Sequence, residues 1–195
     1  NYPEEILVWC HQNLKEQLNV LAIEELLHHK KVLLSFHPSD VSFIDSAIGY
    51  VDASLFVSIK KAVPFPTWQM SSMVGCVHSE VILALPSEIP LDKNFDYFLC
   101  SLGKLLMPKG LLCYSEPRLL KKASVSIPTQ TSSYTLFRFV KQHYRTRWIF
   151  LLLLNLFLYE RKLPFLPFLF SLFYKNRSKM SINLDGLKVQ SSKKV

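Results

Sequence analysis

Apolar residues in the first half of the chain arrive in short blocks set off by polar turns. Glu5-Ile6-Leu7-Val8-Trp9-Cys10 carries the continuous run of a buried strand. From Leu14 to His29 the spacing changes: Leu14, Leu18, Leu21, Leu26 and Leu27 recur at helical intervals. Lys31 to Phe36 predicts a second strand, closed by His37-Pro38-Ser39-Asp40. A helix is then expected over Val41 to Tyr50 and a third strand over Ala53 to Ile59. This alternation predicts an α/β fold with a mainly parallel sheet, whose ligand sites lie at the carboxyl ends of strands; that places His37 to Asp40 at a candidate site.

Past Ile59 the pattern is less regular. Pro64, Pro66 and Thr67 mark a loop. Met70 to Leu85 fits helix or strand, and Pro86 to Pro90 is a turn. Leu99 to Leu106 predicts a short helix. The turn Pro108-Lys109-Gly110 sets up a strand at Leu111 to Tyr114. Tyr134 to Arg147 has the spacing of a basic amphipathic helix and leads into an apolar tail.

That tail decides between a membrane span and two shorter elements. A spanning helix needs about 20 apolar residues. Trp148 to Tyr159 and Leu163 to Tyr174 supply 12 each, the second holding Pro164 and Pro167, with Glu160-Arg161-Lys162 between them. Centring those charges in a bilayer costs roughly 2.5–3.5 kcal/mol for each charged type. Two interfacial or re-entrant segments are therefore expected; the competing reading is a pair of core helices covering a partner domain.

Charge strengthens the membrane reading. Residues 1–120 hold nine bases and 13 acids, net −4, whereas residues 121–195 hold 14 bases and two acids, net +12. A mildly acidic body joined to a basic, apolar tail suggests docking on an anionic membrane surface, peripheral or re-entrant, at the cytoplasmic face of the cell membrane. Nucleic acid is not expected, because the tail's bases surround long aliphatic runs. Cys10, Cys76, Cys100 and Cys113 form no CxxC pair and sit among apolar residues, which predicts buried thiols in a reducing compartment.

Several catalytic signatures are absent. The five glycines make no dinucleotide or P-loop cradle, and neither a G-x-S-x-G elbow nor an HExxH helix occurs. His78-Ser79-Glu80 has the first half of a zinc-deaminase signature without the P-C-x-x-C half that completes the metal site.

Asn1-Tyr2-Pro3-Glu4-Glu5-Ile6-Leu7-Val8 resembles the entry into the second strand of family-two inverting glycosyltransferases, which have a GT-A fold. The resemblance implies a GT-A-like, mainly parallel sheet, incomplete at the N-terminus, in a fragment whose start lies upstream. His37-Pro38-Ser39-Asp40 then occupies the place of the family's DxD motif, where carboxylates hold a divalent cation, Mg or Mn, against the sugar-nucleotide diphosphate. Only Asp40 keeps a carboxylate there, with His37 beside it for donor binding. Pro90-Leu91-Asp92-Lys93-Asn94-Phe95-Asp96 is similar to the acceptor-side segment, which implies Asp96 as the base on the acceptor hydroxyl and Asp92 as the second choice. Gln142-His143-Tyr144-Arg145-Thr146-Arg147-Trp148 resembles the Q-x-x-R-W box with two residues too many. That implies Arg145, Arg147 and Trp148 near the donor diphosphate; an interfacial anchor is the competing reading.

These readings divide the chain into a partial glycosyltransferase-like α/β domain (1–120), a linker (121–133), basic amphipathic and membrane-associating helices (134–178) and a polar basic tail (179–195). The expected activity is sugar transfer from a nucleotide-sugar donor to a lipid-linked or cell-surface polysaccharide acceptor. One alternative is a non-catalytic remnant or membrane-associated interaction module. Another is a methyltransferase-like domain, which Phe95-Asp96-Tyr97, Pro108-Lys109-Gly110 and Glu116-Pro117 resemble, though its glycine-rich first turn is absent.

Overall fold

The computed structural model describes residues 5–39, 62–85, 91–122 and 131–177. They fall into two compact units, residues up to 122 forming the first and residues 131–177 the second. The Asn1 to Glu4 motif, the helix expected at 41–50, the strand expected at 53–59, the turn at 86–90 and Asp40 lie outside the described residues.

The first unit is α/β. Strands β1 (Ile6–Cys10), β2 (Val32–Phe36), β3 (Phe65–Pro66), β4 (Val74–His78) and β5 (Leu112–Ser115) form a sheet in the order β1-β4-β2-β5-β3. The expected mainly parallel sheet is corrected here. Strand β4 runs antiparallel to both β1 and β2, β3 runs antiparallel to β5, and β2 with β5 is the parallel pair among the described strands. Sequence order places β2 beside β1, but β4 inserts between them and reverses the local direction.

Strand β2 is central and buried along its whole length, which explains its unbroken apolar pattern. Its alternate residues serve two faces. Val32, Leu34 and Phe36 join Val74 and Cys76 of β4 in a core closed by Leu14, Leu119 and Ile23, the last from α1 (Val20–Leu26). Leu33 and Ser35 alternate to the other face. The single helix expected over Leu14 to His29 is instead a 3-10 turn at Gln12–Gln17 followed by α1. Between them Leu18 bridges to Leu120, and Asn19 N–H donates to the Leu119 carbonyl at 2.9 Å. Those tertiary hydrogen bonds outweigh the local helical spacing.

The ambiguous stretch from Met70 resolves as strand β4 followed by α2 (Ser79–Leu83), capped by His78 Nδ1 accepting from Glu80 N–H. Helix α3 (Phe95–Leu106) starts four residues before the predicted Leu99, because Asn94 Oδ1 accepts from Tyr97 N–H at 2.9 Å and caps it. Gly110, at φ +94°, closes the turn predicted before β5, a conformation that suits glycine. The four cysteines are free thiols, with Cys76, Cys100 and Cys113 buried.

The second unit is helical: α4 (Ser133–His143), α5 (Arg147–Glu160) and α6 (Phe165–Ser171). The helix predicted to continue to Arg147 ends at His143, with Tyr144 extended. Arg161 then adopts a left-handed conformation (φ 52°) and ends α5, so the two apolar segments of the tail are separate helices, as expected. Phe137 and Phe168 meet edge to face, and Phe150 packs against Phe168 at 5.0 Å between ring centroids. Among the described residues no helix is long and apolar enough to cross a membrane.

Candidate functional site

The parallel pair fixes where a site can form. Register pairs Ser35 of β2 with Ser115 of β5, so both strands leave the sheet at the same end. One continues as His37-Pro38-Ser39 and the other as Glu116-Pro117-Arg118. His37 Nδ1 lies 3.3 Å from the Ser39 amide nitrogen and 3.0 Å from Ser39 Oγ, which folds this exit into a tight turn. On the β5 side, Glu116 N–H donates to the Ser35 carbonyl at 2.9 Å. Glu116 is only 2% exposed, and its carboxylate meets Arg118 on both oxygens: Nε donates to Oε1 at 2.9 Å and Nη2 to Oε2 at 3.0 Å.

That fork is the strongest polar feature of the site. A buried carboxylate needs a partner, and a bidentate guanidinium supplies two parallel charge-assisted bonds. The Glu116 carboxylate pushes the Arg118 guanidinium pKa up, through its hydrogen bond and then its charge. Arg118 remains 61% exposed at its side chain, so a fixed cation faces solvent at the carboxyl end of the sheet. Sequence reasoning placed neither residue among the site candidates. The available signal was a Glu-Pro-Arg run directly after a strand, where Pro117 opens a 3-10 turn that Glu116 caps through Arg118 N–H.

Asp92 and Asp96 sit together around the start of α3 but have different tasks. Asp92 Oδ1 accepts from Asn94 N–H at 3.0 Å and orders the approach to the helix. Asp96 accepts from Ser72 twice, N–H to Oδ1 at 2.7 Å and Oγ–H to Oδ2 at 2.8 Å. A carboxylate in the first turn also matches the positive end of the helix dipole.

These bonds belong to a longer strap. Asp96, Cys100 and Gly103 share one face of α3 at spacings of four and three residues. Asp96 holds Ser72, Cys100 Sγ donates to the Met70 carbonyl at 3.1 Å, and Gly103 admits the Trp68 backbone. A side chain at Gly103 would bring its Cβ to 2.6 Å from the Trp68 carbonyl oxygen. Segment 68–72 therefore runs antiparallel along the helix. Its other side meets the sheet, where Ser35 Oγ accepts from Ser71 N–H at 3.0 Å and Trp9 Nε1–H donates to the Ser71 carbonyl at 2.9 Å. Asp96 and Glu116 are thus linked through Ser72, Ser71 and Ser35. The strap's only sequence signal was its Pro/Thr loop start.

Arg145, Arg147 and Trp148 belong to the second unit. The Arg147 guanidinium lies 5.8 Å from the Trp148 ring centroid, and Tyr144 meets Trp148 edge to face at 6.5 Å. Arg147, Trp148 and Tyr144 thus form an aromatic–cationic cluster where α5 begins, and the Arg145 carbonyl accepts from Trp148 N–H at 2.9 Å.

A recess of about 450 Å³ opens beside β1, lined by Leu7, Trp9, Val77, Leu91, Phe95 and Phe98 among others. Its apolar walls offer no polar side chain for a diphosphate. No group of three His, Cys, Asp or Glu side chains able to hold a metal ion exists among the described residues. Comparison with protein family models, curated proteins and solved structures gives no match.

Proposed function

We propose that the first unit is a glycosyltransferase-like domain of GT-A kinship. It would move a sugar from a nucleotide donor to a lipid-linked or cell-surface polysaccharide acceptor. The observation that carries this reading is the Glu116–Arg118 fork beside His37 at the carboxyl ends of β2 and β5. Arg118, oriented by Glu116, would take the donor diphosphate, because a planar guanidinium matches phosphate oxygens. Asp96 would receive the acceptor hydroxyl proton as that oxygen bonds the anomeric carbon and the bond to the diphosphate breaks. A carboxylate has lone pairs beyond the two that Ser72 uses. Charge developing on the leaving diphosphate would be balanced by Arg118, together with a divalent cation if Asp40, which lies outside the described residues, holds one.

One observation favours a second reading, a non-catalytic interaction module: both Asp96 oxygens close the strap. Thermal unfolding of the full chain with a panel of uridine and guanosine diphosphate sugars, with and without manganese, separates the two. A donor at 100-fold its Kd stabilises the fold by about 2.7 kcal/mol. Arg118→Ala should abolish that gain. No stabilisation by any donor would favour the module.

A further inference from the structure

Helix α5 is apolar all round yet only one stripe of it is covered. Ile149, Leu152 and Leu156 are buried at spacings of three and four residues. Phe150, Leu154, Phe157 and Leu158 form a separate stripe, and each is at least 50% exposed. Helix α6 repeats the arrangement: Phe168 is buried, while Phe165, Leu166 and Phe170 face outward, and Phe173 just beyond is 85% exposed. With side chains of this size roughly half open, the outward apolar surface is on the order of 900 Å², above the ~300–600 Å² of the largest patch on a typical monomer.

The charges around this surface identify its occupant. Residues 131–177 contain eight bases and one acid, Glu160, which Lys162 pairs at 3.0 Å. The bases gather near the helix ends: Arg145 and Arg147 where α5 begins, Arg161 and Lys162 where it stops, Lys175 and Arg177 beyond α6. At 14 residues α5 is about 21 Å long, short of a ~30 Å hydrocarbon core. An apolar face rimmed by bases and aromatic rings is the chemistry of a helix lying in the headgroup region.

We propose that the outward stripes of α5 and α6 dock in the plane of an anionic bilayer leaflet, with Phe150 and Phe157 among the acyl chains and the Tyr144–Arg147–Trp148 cluster at headgroup level. Docking requires no nucleotide, so it stands or falls independently of sugar transfer.

The test is partition of the full chain onto phosphatidylcholine vesicles with and without phosphatidylglycerol. Wild-type protein should bind the anionic vesicles at least tenfold more tightly and lose that preference in high salt. Arg145→Ala/Arg147→Ala should weaken anionic binding by about 30-fold. Phe150→Asp/Phe157→Asp should weaken binding at least tenfold on both vesicles, its circular dichroism melt showing that it still folds. Brominated acyl chains should quench tryptophan emission in the wild type and much less in Trp148→Phe. Equal binding of the wild type and the Phe150→Asp/Phe157→Asp variant would overturn the proposal. So would a wild-type protein that ignores vesicles and dimerises in solution, which would assign the face to a second copy. Quenching undiminished in Trp148→Phe would overturn the orientation.

Discussion

The two units bury apolar residues to opposite degrees. In the first, a fully buried central strand lies under helix α3 and a strap whose polar groups are matched bond for bond. In the second, three helices share a small aromatic core and leave half of their Phe and Leu side chains exposed. The first unit is organised by satisfying polar groups inside a dry interior, where an unmade hydrogen bond is costly. The second also buries a few polar groups, Ser171 donating to the Phe168 carbonyl at 2.6 Å, but its outward face is apolar and needs only an apolar or interfacial neighbour. Water alone is a poor solvent for that face.

Matched truncations give the largest expected contrast. Leu33→Ala, at a fully buried position of β2, should lower stability by about 2–5 kcal/mol in chemical denaturation. Phe157→Ala, 54% exposed on α5, should stay within about 0.5 kcal/mol in water while weakening vesicle binding. Equal losses in the denaturation experiment would show that α5 is as enclosed as β2.

Gly75 probes how tightly the sheet is built. A Cβ there would collide with the Trp9 indole and sit 2.6 Å from the Leu34 carbonyl oxygen, a backbone atom that cannot swing away. Gly75→Ala should therefore cost about 1–3 kcal/mol, and the displaced indole should lose its bond to Ser71, read as a red shift of tryptophan emission.

Asp96 sharpens the comparison within the strap. Asp96→Ala removes two bonds from Ser72 and should cost about 1.5–3 kcal/mol. Asp96→Asn keeps an oxygen acceptor for the Ser72 amide and should cost clearly less. Transfer activity lost in Asp96→Asn with the melt nearly intact would support the base role; a melt that falls with activity would mark a structural one.

The smallest effect at neutral pH concerns the thiols. Burial pushes Cys76 and Cys113 up to about 12, with the Glu116 charge adding to the rise at Cys76, and places Cys100 well above the ordinary value of 9.0. Unfolded thiols ionise near 9.0, so between pH 9 and about 12 the folded state holds more protons than the unfolded one. The contribution is complete below pH 9 and is lost as pH rises towards about 12. Denaturation midpoints should decline across that window. Iodoacetamide at pH 8 should modify Cys10 before the other three, because it alone is partly exposed.

Much of the local organisation was legible in the chain. Strands β1, β2 and β5 lie within a residue or two of their predicted positions, because each is a short apolar run bounded by turn residues. The division of the tail followed from three consecutive charges between two aliphatic runs. The candidate site was only half readable. His37 was placed correctly at a strand end, but Glu116 and Arg118 were not selected, since a carboxylate two residues before an arginine looks like ordinary surface charge until burial makes it a fork. Arg147 and Trp148, which the resemblance sets near a diphosphate, also form a cation–ring pair in the helical unit, a contact between adjacent residues.

What the sequence determined by itself is the set of local elements and the charge asymmetry between the two parts of the chain. Hydrophobic period, capping residues and charge act over a few positions, and those are written in order along the chain. Strand order and direction were decided by tertiary structure: an apolar run reads alike in either direction, so the antiparallel insertion of β4 between β1 and β2 left no local mark. The same holds for the strap, where Asp96 meets Ser72 across 24 residues and Trp9 meets Ser71 across 62. Such pairings form only when closing a long loop is repaid by burying several groups at once, a balance belonging to the whole fold and to no segment of it.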